Sequence, residues 1–258
     1  MTGYALLIEY DGRGFVGWQR QTNGLSLQQV LETAASRLAG GAAVASVVAG
    51  RTDAGVHATG QVALITLPGA MAPARVREAL NFHMKPHAVV VVQAALAPDG
   101  WSPRFSATWR HYRYDILNRP ARPALAGGRA WHVPRALDAA AMSEAAAMLL
   151  GLHDFTSFRA AACQAASPLR TLERLTVTRT GDAIAIEAVA RSFLHHQVRN
   201  MVGTLKLVGE GSWPPARVAA ALAAADRRAA GPTAPPDGLC MLAVGYPADP
   251  FAPGGGEV

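Results

Sequence analysis

Hydrophobic positions along the chain change period several times, and each change marks an element. YALLIEYD, residues 4–11, alternates as a strand. SLQQVLETAASRL, residues 26–38, has the spacing of a helix capped by Ser26, with Leu27, Val30, Leu31, Ala34 and Leu38 on one face. VASVVAG, residues 44–50, is short and β-branched, and QVALITL, residues 61–67, is similar, so both are expected to be strands. APARVREALNF, residues 72–82, is a short helix entered through Pro73. AVVVVQAALA, residues 88–97, is expected to be a buried strand. The order is β-α-β-β-α-β, a ferredoxin-like unit.

The second half repeats that order without repeating the sequence. TWRHYRYDIL, residues 108–117, alternates as a strand. Residues 138–151 form a helix with Asp138 as cap and Gly151 as stop. Residues 170–180 and 182–191 are two strands joined by a turn at Gly181-Asp182. FLHHQVRNMVGTLKLVGEG, residues 193–211, has helical spacing, with a second helix after Pro214-Pro215. LCMLAVGYP, residues 239–247, closes as a strand. The expectation is an α+β protein of two ferredoxin-like halves, 1–105 and 106–258, forming a mainly antiparallel sheet with helices packed on it. NRPARPALAGGRAW, residues 118–131, is too rich in Pro and Gly for regular structure and belongs at the surface, as a solvated connector or as an RNA-facing loop. The tail 247–258 is expected to fray.

Composition narrows the class. Half of the 258 residues are hydrophobic and 16% are charged, against about 25% in an average soluble chain, which excludes general disorder. Two cysteines, Cys163 and Cys240, supply neither a disulfide framework nor a four-thiolate zinc site; core thiols are the default. No secretory leader is visible, and polar residues interrupt every apolar stretch before the roughly 20 residues of a membrane span. A cytoplasmic protein without membrane insertion is expected. The net charge is +6, and every basic residue except Lys85 and Lys206 is arginine. Arginine gives bidentate contacts to phosphate and stacks on bases, so a nucleic-acid partner fits. A GC-rich genome yields the same Arg-for-Lys bias.

Gly12, Gly14 and Gly17 form G-x-G-x-x-G directly after a strand. A dinucleotide site needs a helix to open there at once, with its N-terminus on the pyrophosphate. The polar stretch 18–24 follows instead, the helix waits until Ser26, and no acidic residue ends the second strand. A nicotinamide or flavin site is therefore not expected. His83 and His87 are separated by Pro86, which argues against helical metal pairing.

GRTDAGVHATGQV, residues 50–62, places Asp53 on a glycine-containing loop between two strands. A carboxylate there can meet a ligand, and Arg51 could hold it ionised, since a nearby opposite charge lowers a carboxylate pKa. A turn in which Asp53 bonds local amides is the plainer alternative.

Taken with five further blocks, the segment resembles the TruA family of pseudouridine synthases. The blocks are YDGRGFVGWQRQ (10–21), RFSATWRHYRY (104–114), GLHDFTSFRAA (151–161), FLHHQVRNMVGTL (193–205) and PPDGLCMLAVGY (235–246). They span nearly the whole chain; Trp101-Ser102-Pro103 departs from the family's usual entry to its block. The resemblance implies isomerisation of uridine in the anticodon stem-loop of tRNA. It assigns Asp53 as the catalytic carboxylate, whether it attacks C1′, attacks C6 or takes the C2′ proton. Each role needs an ionised group, and a free Asp titrates near about 3.9. It implies that Tyr112 stacks on the flipped uracil and that Arg199 pairs with the catalytic aspartate. Arg51 would bind phosphate or order the loop. No cofactor or metal is implied, and the partners implied are tRNA and a second copy of the chain. A non-catalytic RNA-binding relative and a synthase acting on ribosomal RNA are the competing readings.

Overall fold

Apolar side chains on alternate residues of β1 (Thr2–Tyr10) give the fold its centre. Tyr4, Leu6 and Ile8 are fully buried. In this computed structural model, which describes residues 1–252, β1 pairs antiparallel with β3 (His57–Leu67) on one side and β4 (Val89–Leu96) on the other. The start of β3 lies four residues before the expected strand, so His57 and Gly60 are strand residues. β2 (Ser46–Val48) pairs antiparallel with the later part of β3, from Ser46 opposite Ile65 to Val48 opposite Ala63. The 4-1-3-2 order is the expected ferredoxin-like one.

Two helices pack in this unit, α1 (Leu27–Leu38) and α2 (Pro73–His83). Ser26 caps α1 by accepting the Gln29 N–H at 3.1 Å, and Leu27, Val30, Leu31 and Ala34 are buried as their spacing requires. β4 departs from expectation. It is the edge strand, with Val90 and Val92 exposed, because no strand of the described residues lies beyond it. A run of four valines reads the same for a buried strand and for an edge strand covered on one face only.

The chain divides into two compact units, residues 1–108 with those from Met241 onward, and Trp109–Cys240. β10 (Leu239–Gly245) adjoins β3 in the sheet. Gly60 permits that approach: a Cβ on it would lie 2.0 Å from the Leu242 carbonyl oxygen. After β10, Tyr246 and Phe251 pack on Ala5, Val62 and Trp101. The remainder of the tail expected to fray, 253–258, lies outside the described residues.

In the second unit, β5 (Trp109–Leu117), β9 (Ala183–Ala190), β8 (Leu169–Thr180) and β7 (Gly151–Asp154) form an antiparallel sheet in that order. β6 (Trp131–His132) adds a short parallel pairing to β5. So the surface loop ends in a strand, while half of its residues are exposed. α3 (Ala139–Ala147) is capped by Asp138, which accepts the N–H groups of Ala140 and Ala141. It ends at Met148 rather than at Gly151, whose positive φ of 96° instead opens β7. α4 (Gln197–Gly209) packs against α3, and α5 (Ala216–Ala223) follows the Pro-Pro pair. The expected helix start at Phe193 is four residues early. His196 sits at a left-handed φ of 63°, and the Gln197 side chain accepts the Leu194 N–H at 2.8 Å, so the chain turns before the helix begins.

Candidate active site

Asp53 is carried by a loop that leaves β2 and enters β3, and the surrounding residues fix its backbone from several directions. The Val56 N–H donates to the Asp53 carbonyl at 3.2 Å, closing a turn in which Gly55 has a φ of 78°. A residue with a Cβ is strained at that φ, which accounts for the glycine. Asp53 itself is half-buried. One residue before it, Thr52 is buried, and its hydroxyl meets the Tyr10 hydroxyl at 2.7 Å. Gln61, fully buried on β3, donates from Nε2 to the Gly50 carbonyl at 2.8 Å and to the Tyr10 hydroxyl at 3.3 Å. Buried polar groups persist where they are bonded in this way.

The N-terminal loop 11–25 supplies the remaining support. The Trp18 N–H donates to the Thr52 carbonyl at 3.0 Å. Trp18 is buried with its ring 6.0 Å from that of Tyr10. A Cβ on Gly17 would lie 2.8 Å from the Thr52 carbonyl oxygen, and one on Gly12 would lie 2.1 Å from that of Val56. Here is the physical meaning of the G-x-G-x-x-G run. Two of its glycines let one loop lie backbone to backbone on another.

A histidine and a carboxylate also belong to this support. His57 Nδ1 is 3.2 Å from the Gly12 N–H nitrogen and 3.2 Å from Asp11 Oδ1. Asp11 accepts from Arg13 through Nε and Nη2, the latter at 2.5 Å, and from the Arg13 backbone N–H. The Arg13 guanidinium beside it holds the Asp11 carboxyl down at about 2, with burial opposing the shift. Arg51 is exposed and makes no ion pair among the described residues, so the expected Arg51–Asp53 pairing is not formed.

The second unit carries the other two expected residues. Tyr112 lies on the buried face of β5 together with Arg110, Tyr114 and Ile116. Its ring meets that of Phe193 edge-on at 5.2 Å. Tyr114 is fully buried, and its hydroxyl donates to the Pro235 carbonyl at 2.8 Å. Burial pushes its pKa up while the Arg199 charge pulls against this. Gly238 sits against the Tyr114 ring, so that tyrosine is structural. Arg199 lies in the first turn of α4, where its Nε donates to the Ala234 carbonyl at 2.8 Å. Since the helix starts at Gln197, the helical spacing expected from residue 193 holds for Arg199 but not for His195 and His196. The two histidines precede the helix, with ring centroids 4.1 Å apart. Arg110, buried on the Tyr112 face and donating to the Arg191 carbonyl, escaped the sequence reading, as did Tyr10, Gln61 and His57. A glutamine opening an apolar strand was the one visible signal for Gln61. The two cysteines are half-buried, not core thiols, and neither forms a disulfide among the described residues.

Over most of its length the chain is similar to isomerases that act on tRNA. A family model described as tRNA pseudouridine synthase matches residues 6–106 and 145–247, and the chain belongs to that family. It is 71% identical over 252 residues to the tRNA pseudouridine synthase A of Acidiphilium cryptum, with 97% of this chain and 99% of the relative covered. Proteins of the same name from Rhodospirillum rubrum (58% identical, 98% and 91% covered) and Gluconobacter oxydans (56% identical, 96% and 91% covered) are also similar.

Proposed function

We propose that this protein converts specific uridines in the anticodon stem-loop of tRNA to pseudouridine, with Asp53 as the catalytic carboxylate. Tyr112, Arg51 and Arg199 bind the substrate, the protein works as a homodimer in the cytoplasm, and no cofactor takes part. What carries the reading is the Asp53 loop. A half-buried carboxylate on a turn fixed by buried anchors at Gly50, Thr52 and Val56 suits a reaction that needs one group held in place.

The chemistry is an isomerisation. The N1–C1′ bond breaks, the uracil turns, and C5 bonds to C1′. The proton leaves C5 for solvent, and N1 ends with a proton, so atoms balance and nothing is oxidised. Attack at C1′, attack at C6 and removal of the C2′ proton all begin from an ionised carboxylate. A uridine in a stem is stacked, so it must first be turned out, at a cost of roughly a few kcal/mol. Stacking on Tyr112 offsets that by about 1–3 kcal/mol per base. A-form RNA hides its base edges in a deep groove, and an arginine-rich protein meets it through shape and phosphates.

The test is release of tritium from tRNA transcript labelled at C5 of uridine, beside an Asp53→Ala control. Release by the unaltered protein alone supports both the reaction and the role of Asp53. Binding without release leaves an RNA-binding protein.

A further inference from the structure

We propose that His57 is a positioning residue. Its Nδ1, as an acceptor, locks the N-terminal loop at Gly12 onto the strand that leaves the Asp53 turn. The proposal rests on the reading of Asp53 as the catalytic carboxylate.

The geometry is specific. His57 is the first residue of β3 and is buried, so its ring direction is fixed by the strand. The Gly12 N–H points at Nδ1, 3.2 Å away, and only an unprotonated nitrogen can accept it. Asp11 Oδ1 lies 3.2 Å from the same nitrogen and competes for it. A proton on Nδ1 would serve Asp11 and release Gly12, so the two uses exclude each other. Arg13 decides between them. It engages both Asp11 oxygens from Nε, at 3.0 and 3.1 Å, and its backbone N–H adds a third bond. The carboxylate is thereby satisfied without the histidine, and Nδ1 keeps its lone pair for Gly12.

This lock matters because the loop it fastens is the support of Asp53. Gly12 lies against the Val56 carbonyl, Gly17 against the Thr52 carbonyl, and Trp18 donates to Thr52. The support therefore touches the chain on both sides of Asp53, and the His57 bond is its pin at the Gly12 end. Freed there, the loop can lift from Val56, and the turn holding the carboxylate loses one wall.

The test compares His57→Asn with His57→Ala. Asparagine Oδ1, like Nδ1, is one bond from Cγ and accepts a hydrogen bond, whereas alanine offers no acceptor. In His57→Ala, kcat should fall about 10- to 100-fold, the size of loss that displacing a reacting group by roughly 1 Å produces. KM for tRNA should stay within about threefold. His57→Asn should recover kcat to within about threefold of the unaltered protein. Amide exchange at Gly12 is the second readout, faster in His57→Ala and protected again in His57→Asn. It reports the lock whatever Asp53 does, so failure of the catalytic reading leaves it interpretable. Equal kcat in His57→Ala and the unaltered protein overturns the proposal. So does an asparagine variant as slow and as exchange-prone as the alanine one.

Discussion

The hydroxyls of Tyr10 and Thr52, 42 residues apart in the chain, meet at 2.7 Å inside the first unit. Thr52 immediately precedes Asp53, so the last residue of β1 holds the base of the Asp53 turn. Tyr10→Phe keeps the ring and removes the bond, leaving the Thr52 hydroxyl and one Gln61 donor without this partner. An unsatisfied buried polar group costs about 1–3 kcal/mol. Urea unfolding should show a loss in that range, and kcat should fall more than tRNA affinity.

Gly14 and Gly17 provide an internal comparison. Both have positive φ, 81° and 105°, but a Cβ on Gly14 meets nothing within 4 Å, while one on Gly17 comes within 2.8 Å of the Thr52 carbonyl oxygen. Gly14→Ala should cost about 1 kcal/mol of backbone strain and leave turnover within about threefold. Gly17→Ala adds the clash, so both its melting temperature and its turnover should fall further. Equal behaviour of the two variants would mean that the loop-on-loop contact is slack.

How much of this was visible beforehand depends on range. Ser26 and Asp138 announce their helices because a cap bonds residues two or three positions away. Asp53 stands out through a motif of adjacent residues. Its supports do not, because Tyr10 and Gln61 are 51 residues apart and meet only after β1 and β3 pair. The helical spacing of 193–196 misled because periodicity cannot register one left-handed residue, His196. β7 was hidden for a different reason: four residues are too few to alternate, and its pairing with β8 defines it.

Binding should be strongly salt-dependent. The net charge of +6 is carried almost wholly by arginine, and neutralising phosphates releases counterions. A contact set of about six phosphates loses roughly 10³-fold in affinity between about 50 and 200 mM salt. Filter binding or fluorescence anisotropy across that range should give a steep linear log–log slope. A flat response removes the case for an arginine-led RNA surface.

Acid should weaken the N-terminal loop through Asp11. Its carboxyl is held at about 2 instead of 3.8, chiefly by the Arg13 side-chain hydrogen bond. A carboxyl that is more acidic when folded than when unfolded stabilises the protein fully above the unfolded value. That contribution fades as pH falls through the folded one. The window is therefore about pH 4 down to about 2. Arg13 is half exposed, with 53% of its side chain accessible, so solvent screening keeps the contribution to about 1 kcal/mol or less. Asp11→Asn should accordingly be slightly less stable than the unaltered protein near neutral pH. The two unfolding free energies should converge as pH drops below about 4, because protonation then removes the same charge from the natural residue. Parallel urea titrations at several pH values read the gap directly. A gap that persists unchanged at pH 2 would assign the loss to packing rather than to the charge.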